Sequence, residues 1–120
     1  MKEIKAVVQR SKLQKIHDAF HNRKGFPGIS AARVEWFSTH ESAPRSVKEE
    51  LTDFSKKILI LMLAPDELVD ELVNILMEST STGQPSDGII WTTPVDQAIR
   101  ICDGRECMPE SHPFDGSSGR

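Results

Sequence analysis

Tyrosine is absent from the 120 residues, and only two cysteines, Cys102 and Cys107, are present. The first absence removes any regulation through a tyrosyl hydroxyl. The second excludes a disulfide-stapled scaffold, which needs several bridges. Long apolar runs are missing as well: the longest, Ile58 to Ala64, is far too short to span a bilayer. The opening Met1-Lys2-Glu3-Ile4-Lys5 has no apolar signal-peptide core. Nor is there an excess of positive charge, since 15 Lys and Arg face 18 Asp and Glu for a net −3. General binding to nucleic acid or to a membrane surface needs a basic field and is excluded. These absences describe one small cytoplasmic domain with no nucleic-acid partner and no insertion into a membrane. A chain of this length still buries a real, if small, core.

What is present is a doubled pattern. Lys2 to Val8 alternates, with Ile4, Ala6 and Val8 on one face, and reads as a strand. Ser11 suits a helix N-cap, and Leu13, Ile16 and Phe20 follow at helical spacing. That helix is expected to stop near Lys24-Gly25, where glycine permits a left-handed exit. Ile29 to Phe37 reads as a second strand, and the polar stretch Ser38 to Ser55, with Pro44 inside it, as a long loop. Ile58 to Leu63 is a third strand by length and branching. Pro65, Asp66 and Glu67 suit a first helical turn, and Leu68, Val69, Leu72, Val73 and Leu76 form one apolar stripe behind them. Thr82 to Gly88 is rich in turn formers, and Ile89-Ile90-Trp91 is a fourth strand. Pro, Ser and Gly dominate from Met108 onward, as in a disordered tail.

The order strand-helix-strand, long loop, strand-helix-strand predicts an α+β, ferredoxin-like βαββαβ subunit. Two helices cover one face of a four-stranded sheet. Yet Ile58 to Leu63 is apolar at every position, so both faces of that strand want to be dry. The open face is expected to meet other copies of itself in a symmetric oligomer. The alternative is an apolar strand with one poorly covered face.

Candidate chemistry is sparse. His17 and His21 share a helix face and could hold a metal, but two ligands do not close a zinc site, and a solvated helix flank is the simpler reading. No metal site is assigned. The loop Thr82-Gly83-Gln84-Pro85-Ser86-Asp87-Gly88 has amides and hydroxyls able to cradle a phosphate, although it is neither a Walker loop nor a dinucleotide fingerprint. In Cys102-Asp103-Gly104-Arg105-Glu106-Cys107, Gly104 permits a reversal that could bring the two sulfurs together; two free thiols are the alternative. No Ser-His-acid or paired-carboxylate arrangement is visible, and no enzymatic activity is assigned.

Several of these pieces together resemble the PII signalling proteins. The opening Met-Lys-x-Ile-x-Ala-Val-Val with Lys12-Leu13 carries the likeness, as does Ala64-Pro65-Asp66-Glu67. Thr82-Gly83, Ser86-Asp87-Gly88, Pro94-Val95 and Ala98-Ile99-Arg100-Ile101 follow in order and at the right spacing. The likeness spans about residues 1–105, leaving 106–120 as a flexible C-terminal tail. It implies a homotrimer that binds adenine nucleotides in clefts between subunits, with the long loop gripping or releasing a protein target. Gly28, Ile29 and Ser30 would then line adenine and ribose, and Leu63 and Ala64 would offer backbone groups to the adenine edge. Trp36, Phe37 and Ser38 would approach the nucleotide at the loop's root. Ser86, Asp87 and Gly88 would hold phosphates through backbone amides, and Arg100 would pair a phosphate oxygen across the subunit boundary. Ordinary core packing is the plainer role for Trp36 and Leu63, and the two roles are compatible.

The departures from the family pattern matter too. Ile89 stands where the family has lysine, Cys102 where it has a second arginine, and Ser38-Thr39-His40-Glu41 where it has glutamine and arginine. Each lost charged hydrogen bond to a phosphate removes on the order of 1.5–3 kcal/mol. Arg45, Lys57 and Arg105 are the cations that could compensate. ADP or AMP is therefore expected to bind at least as well as ATP. Without tyrosine, uridylylation of the long loop is impossible. The Cys-x4-Cys loop, Cys102 to Cys107, resembles that of PII-like members tied to bicarbonate transport. This suggests inorganic-carbon regulation, with bicarbonate as a second ligand and a transporter or carbon-metabolism component as target. The alternatives are a metal- or redox-responsive relative linked to metal efflux, and a nitrogen-regulatory PII protein.

Overall fold

The structure is a computed structural model and describes residues 1–37 and 54–107. Among these residues lie four strands and two α-helices: β1 (Lys2–Gln9), α1 (Leu13–Phe20), β2 (Ile29–Trp36), β3 (Ser55–Ala64), α2 (Val69–Thr80) and β4 (Gly88–Pro94). The strands form one sheet in the order β2-β3-β1-β4, every neighbouring pair antiparallel. This is the α+β ferredoxin-like arrangement the pattern predicts, with β1 and β3, the first strands of the two βαβ halves, side by side at the centre.

The alternation of β1 sorts the sheet into two faces. Ile4, Ala6 and Val8 point to the helices and join Ile58, Ile60, Met62 and Ala64 of β3 in the core. Ile16 and Phe20 of α1, and Val69, Leu72 and Leu76 of α2, close that core from above. The period-2 strand pattern and the i, i+3/i+4 helix pattern thus meet on one surface. Fully buried Leu72 and Leu76 each anchor it; truncating such a leucine costs about 2–5 kcal/mol.

The opposite face has no helix. It carries Val7 of β1, Leu59, Leu61 and Leu63 of β3, Ala32, Val34 and Trp36 of β2, and Ile89 and Trp91 of β4, and among them Ser30, Thr93 and the Glu3–Lys5 ion pair at 3.5 Å, as the strand registers dictate. Leu59, Leu61 and Leu63 are half-buried, and Ile89 is 51% exposed.

Several boundaries differ from those read in the sequence. Ser11 does not cap α1: helical backbone begins one turn earlier, in a 3-10 turn over Arg10–Lys12, with extended Gln9 before it and no side-chain cap. The helix ends at Phe20, not near Gly25, and the Arg23 amide closes a turn on the Phe20 carbonyl at 3.0 Å. Gly25 is needed for another reason. It sits at φ +99°, and an added Cβ would lie 2.8 Å from Leu68 Cδ1. Phe37 lies just beyond β2, and β3 already begins at Ser55. Pro65-Asp66-Glu67-Leu68 forms a 3-10 entry before α2 starts at Val69.

After β4 the chain passes Met1, whose carbonyl accepts from the Val95 amide at 3.1 Å. It then makes a small hairpin in which Ile99 pairs with Glu106 and the Cys107 amide donates to the Ala98 carbonyl at 2.8 Å. This hairpin runs two residues past the boundary drawn at 105. The tail from Met108, Ser38 and the long-loop residues Thr39 to Asp53 lie outside the described residues.

Candidate functional site: two half-sites at opposite ends of the sheet

The register of β2 on β3 decides where the candidate residues stand. Ile29 pairs with Met62 and Ser30 with Leu61, so Gly28, Ile29 and Ser30 gather beside Leu63 and Ala64 at one end of the sheet. Ala64 pairs with Lys2, and Lys2 with Pro94, so the hairpin carrying Arg100 leaves from that same end. Trp36 pairs with Ser55 and Gly88 with Val8, which sets Trp36, Phe37, Ser86, Asp87 and Gly88 at the other end. The 10-residue β3 separates the two groups by about 30 Å. No single small ligand can touch both ends of one chain, so these residues meet only if a second copy brings its opposite end alongside.

At the first end, Gly28 is exposed and an added Cβ there would meet nothing within 4 Å. Ile29 packs partly on the core, while Leu63 faces the open side. At the second end, the Phe37 and Phe54 rings pack at 5.9 Å between centroids, tilted by 51°, and the Ser55 hydroxyl donates to the Trp36 carbonyl at 3.2 Å. These contacts tie the two roots of the long segment together. Phe54 was visible in the sequence only as an apolar residue in a polar stretch.

The loop before β4 has a definite shape. Asp87 Oδ2 accepts from the amides of Thr82 at 2.7 Å, Gly83 at 2.9 Å and Gln84 at 3.2 Å, and Oδ1 accepts from the Thr82 hydroxyl at 2.5 Å. Burial pushes the Asp87 carboxyl up, but these hydrogen bonds outweigh it and hold the group below the usual carboxylate range. The amides of Thr82 to Gln84 are therefore occupied from within, which corrects the idea that the whole 82–88 loop can cradle a phosphate. Gly88 follows at φ +123°, with its α-carbon so close to β1 that a Cβ would lie 1.9 Å from the Val7 carbonyl oxygen.

The same loop locates a cation that the sequence could name but not place. Lys57 is only 5% exposed, and its Nζ donates to the Ser86 carbonyl at 3.4 Å. Gln9 Nε2 donates to that carbonyl at 3.1 Å and lies 3.4 Å from the Ser86 hydroxyl. Gln9 was missed in the sequence; its only signal was a polar residue directly after the apolar run Ala6-Val7-Val8.

In the hairpin, Arg100 Nη2 donates to Asp103 Oδ2 at 2.7 Å. Cys102 and Cys107 are free thiols. The pairing sets Cys107 opposite Ala98, whereas Cys102 sits at the tip, so the two do not face each other across the strands. Burial pushes the Cys107 thiol up, away from a reactive thiolate. His17 of α1 and His21, just past its end, lie with ring centroids 5.2 Å apart on an exposed flank. No group of three or more His, Cys, Asp or Glu able to hold a metal exists among the described residues. No described helix is long and apolar enough to cross a membrane.

A ferredoxin-like sheet with one face bare of helices, and candidate residues split between its ends, is the geometry of a protein whose site would be completed by assembly. Comparison with known proteins supplies the family. The family model for nitrogen regulatory protein P-II matches residues 1–105. The nitrogen regulatory protein P-II of Haemophilus influenzae is 31% identical over 88% of this chain and 96% of its own length. That of Azospirillum brasilense is 29% identical over the same shares. The nitrogen regulatory protein P-II 1 of Escherichia coli is 30% identical, again over 88% and 96%. The chain belongs to the P-II family. Proteins of this family are regulatory signalling proteins that form homotrimers and bind adenine nucleotides and target proteins.

Proposed function

We propose that this chain is a cytoplasmic, non-catalytic regulator that binds an adenine nucleotide between copies of itself. The observation that supports this reading best is the division of the candidate residues between opposite ends of one sheet. The bare apolar face offers the surface on which copies associate, and a trimer follows from the family. Gly28, Ile29, Ser30, Leu63 and Ala64 of one copy hold the base and ribose, with Arg100 reaching a phosphate. The neighbouring copy brings Trp36, Phe37 and the backbone of Ser86, Asp87 and Gly88, where the Asp87 amide would have to leave the Gln84 carbonyl to which it donates at 3.0 Å, with Ser38 at the root of the long loop.

The donor set suits a nucleotide with one or two phosphates. Arg100 is a planar guanidinium able to grip phosphate oxygens. Lys57 adds positive charge behind the phosphate loop, although its ammonium already donates to the Ser86 carbonyl. Ile89 contributes an exposed hydrocarbon where a third phosphate would need a cation. ADP or AMP therefore binds at least as tightly as ATP. Light scattering should give three times the chain mass, and calorimetry should detect ADP. Ile89→Lys should move the preference toward ATP. A monomer at micromolar concentration that binds no adenine nucleotide would sink this reading.

Two readings of the physiological signal stand side by side. The cysteine pair and the departures at Ile89 and Cys102 favour inorganic-carbon regulation, with bicarbonate as a second ligand and a transporter or carbon-metabolism component as target. The names of the relatives favour nitrogen regulation equally well. Titration with bicarbonate and with 2-oxoglutarate in the presence of nucleotide separates them: carbon regulation requires a response to the first and none to the second.

A further inference from the structure

The hairpin after β4 holds a charge arrangement that the nucleotide reading leaves unused. Arg100 Nη2 donates to Asp103 Oδ2 at 2.7 Å and lies 3.9 Å from Cys102 Sγ. The other oxygen, Oδ1, accepts from the Arg105 amide at 3.0 Å. The carboxylate is thus anchored to backbone on one side and laid on the guanidinium on the other. The turn itself is closed by hydrogen bonds from the Arg100 amide to the Arg105 carbonyl and from the Gly104 amide to the Arg100 carbonyl, both 2.8 Å. Gly104 at φ +71° allows the reversal that brings Asp103 back over Arg100. Asp103 is held below the usual carboxylate range, by the Arg105 amide first and by the Arg100 charge as well, so it is an anion at neutral pH.

A phosphate approaching Arg100 therefore finds one edge of the guanidinium taken and a fixed negative charge beside it. We propose that Asp103 is a specificity-determining residue, which competes with phosphate for Arg100 and disfavours the more highly charged nucleotides. The proposal rests on the nucleotide reading above. Repulsion from a fixed carboxylate grows with the charge of the phosphate chain, so the penalty rises from AMP to ADP to ATP. The Arg100–Asp103 pair is partly exposed, with 24% and 33% of the side chains accessible, so it tunes affinity without blocking the site.

Asp103→Asn is the informative change, because the amide oxygen still accepts from the Arg105 N–H while the charge is gone. Calorimetry on the full chain under reductant, with AMP, ADP and ATP, tests the idea. Asp103→Asn should tighten binding by about two- to fivefold, most for ATP and least for AMP. The gain should shrink at high salt. In an Arg100→Ala background the part of the gain that comes from freeing the guanidinium should vanish, so Asp103→Asn should gain less there than in the unaltered protein; an equal gain in both would overturn competition for Arg100. If the unaltered protein binds nucleotide and Asp103→Asn binds ATP no better, or gains equally for all three, the proposal is overturned and the site stands. If neither protein binds any of the three nucleotides, the site reading fails and takes the proposal with it.

Discussion

Two aspartates in this chain each occupy donors in the loops proposed to meet phosphate, and they are held very differently. Asp87 collects three backbone amides and a hydroxyl from Thr82, Gly83 and Gln84. Asp103 accepts from one amide and one guanidinium, on a hairpin that projects from the sheet. Asp87 is part of the loop's architecture: remove it, and several polar groups lose their partner together. Asp103 meets a flexible cation that can turn to another anion at small cost. The same residue type is a structural brace in one loop and, on the proposal above, an adjustable competitor in the other. What separates them is the number of backbone donors each one satisfies.

The largest effect expected lies at the structural loop. Gly88→Ala forces a Cβ into the Val7 carbonyl and fixes a side chain at φ +123°. It should destabilise the fold by about 3 kcal/mol or more, read as a fall in melting midpoint. A midpoint equal to the parent's would mean the loop is free to move away from β1. Asp87→Ala should come next, at about 1–2 kcal/mol, because exposed amides recover part of the loss from water. Stability unchanged within error would dissolve the contrast between the two aspartates.

Acid sharpens the same contrast. Asp87 is held below its unfolded value, so its contribution is present above about pH 4 and is lost as pH falls through the folded-state value. The stability gap between the parent and Asp87→Asn should therefore close below about pH 4. A gap that widens there would assign the shift to some other carboxylate. The smallest effect on stability is expected for Asp103→Ala, whose melting curve should overlay that of the parent, while its nucleotide preference moves. A cooperative loss of structure would place Asp103 with Asp87.

Much of the fold was legible. β1 declared its face through Ile4, Ala6 and Val8, and α2 through Val69, Leu72 and Leu76, because period-2 and period-3.6 patterns survive in composition alone. The element boundaries were less so. Ser11 has the chemistry of a cap, but β1 passes straight into a 3-10 turn and never places it at the boundary. Gly25 reads as a helix exit, and its true constraint is the side chain of Leu68, more than forty positions along the chain. Of the candidate site, the sequence order supplied Asp87-Gly88 and Arg100 as candidates. Gln9 went unnoticed there and Phe54 stood out only as an apolar residue of the loop, since each acts through a partner that is distant in sequence.

The amino-acid order by itself determined the α+β class, the apolar strand Ile58 to Leu63 with its two dry faces, and the absence of a cation at Ile89 and Cys102. Those properties are local, set by side-chain period and by which residue types are present. Only the tertiary structure decided that Gly28 and Gly88 lie at opposite ends of one sheet, that Lys57 stands behind Ser86, and that Asp87 takes the Gly83 amide while Asp103 takes the Arg100 guanidinium. Each of these depends on strand register or on a turn folding back on itself. Such relations are settled by the pairing of distant backbone groups, which no local pattern encodes.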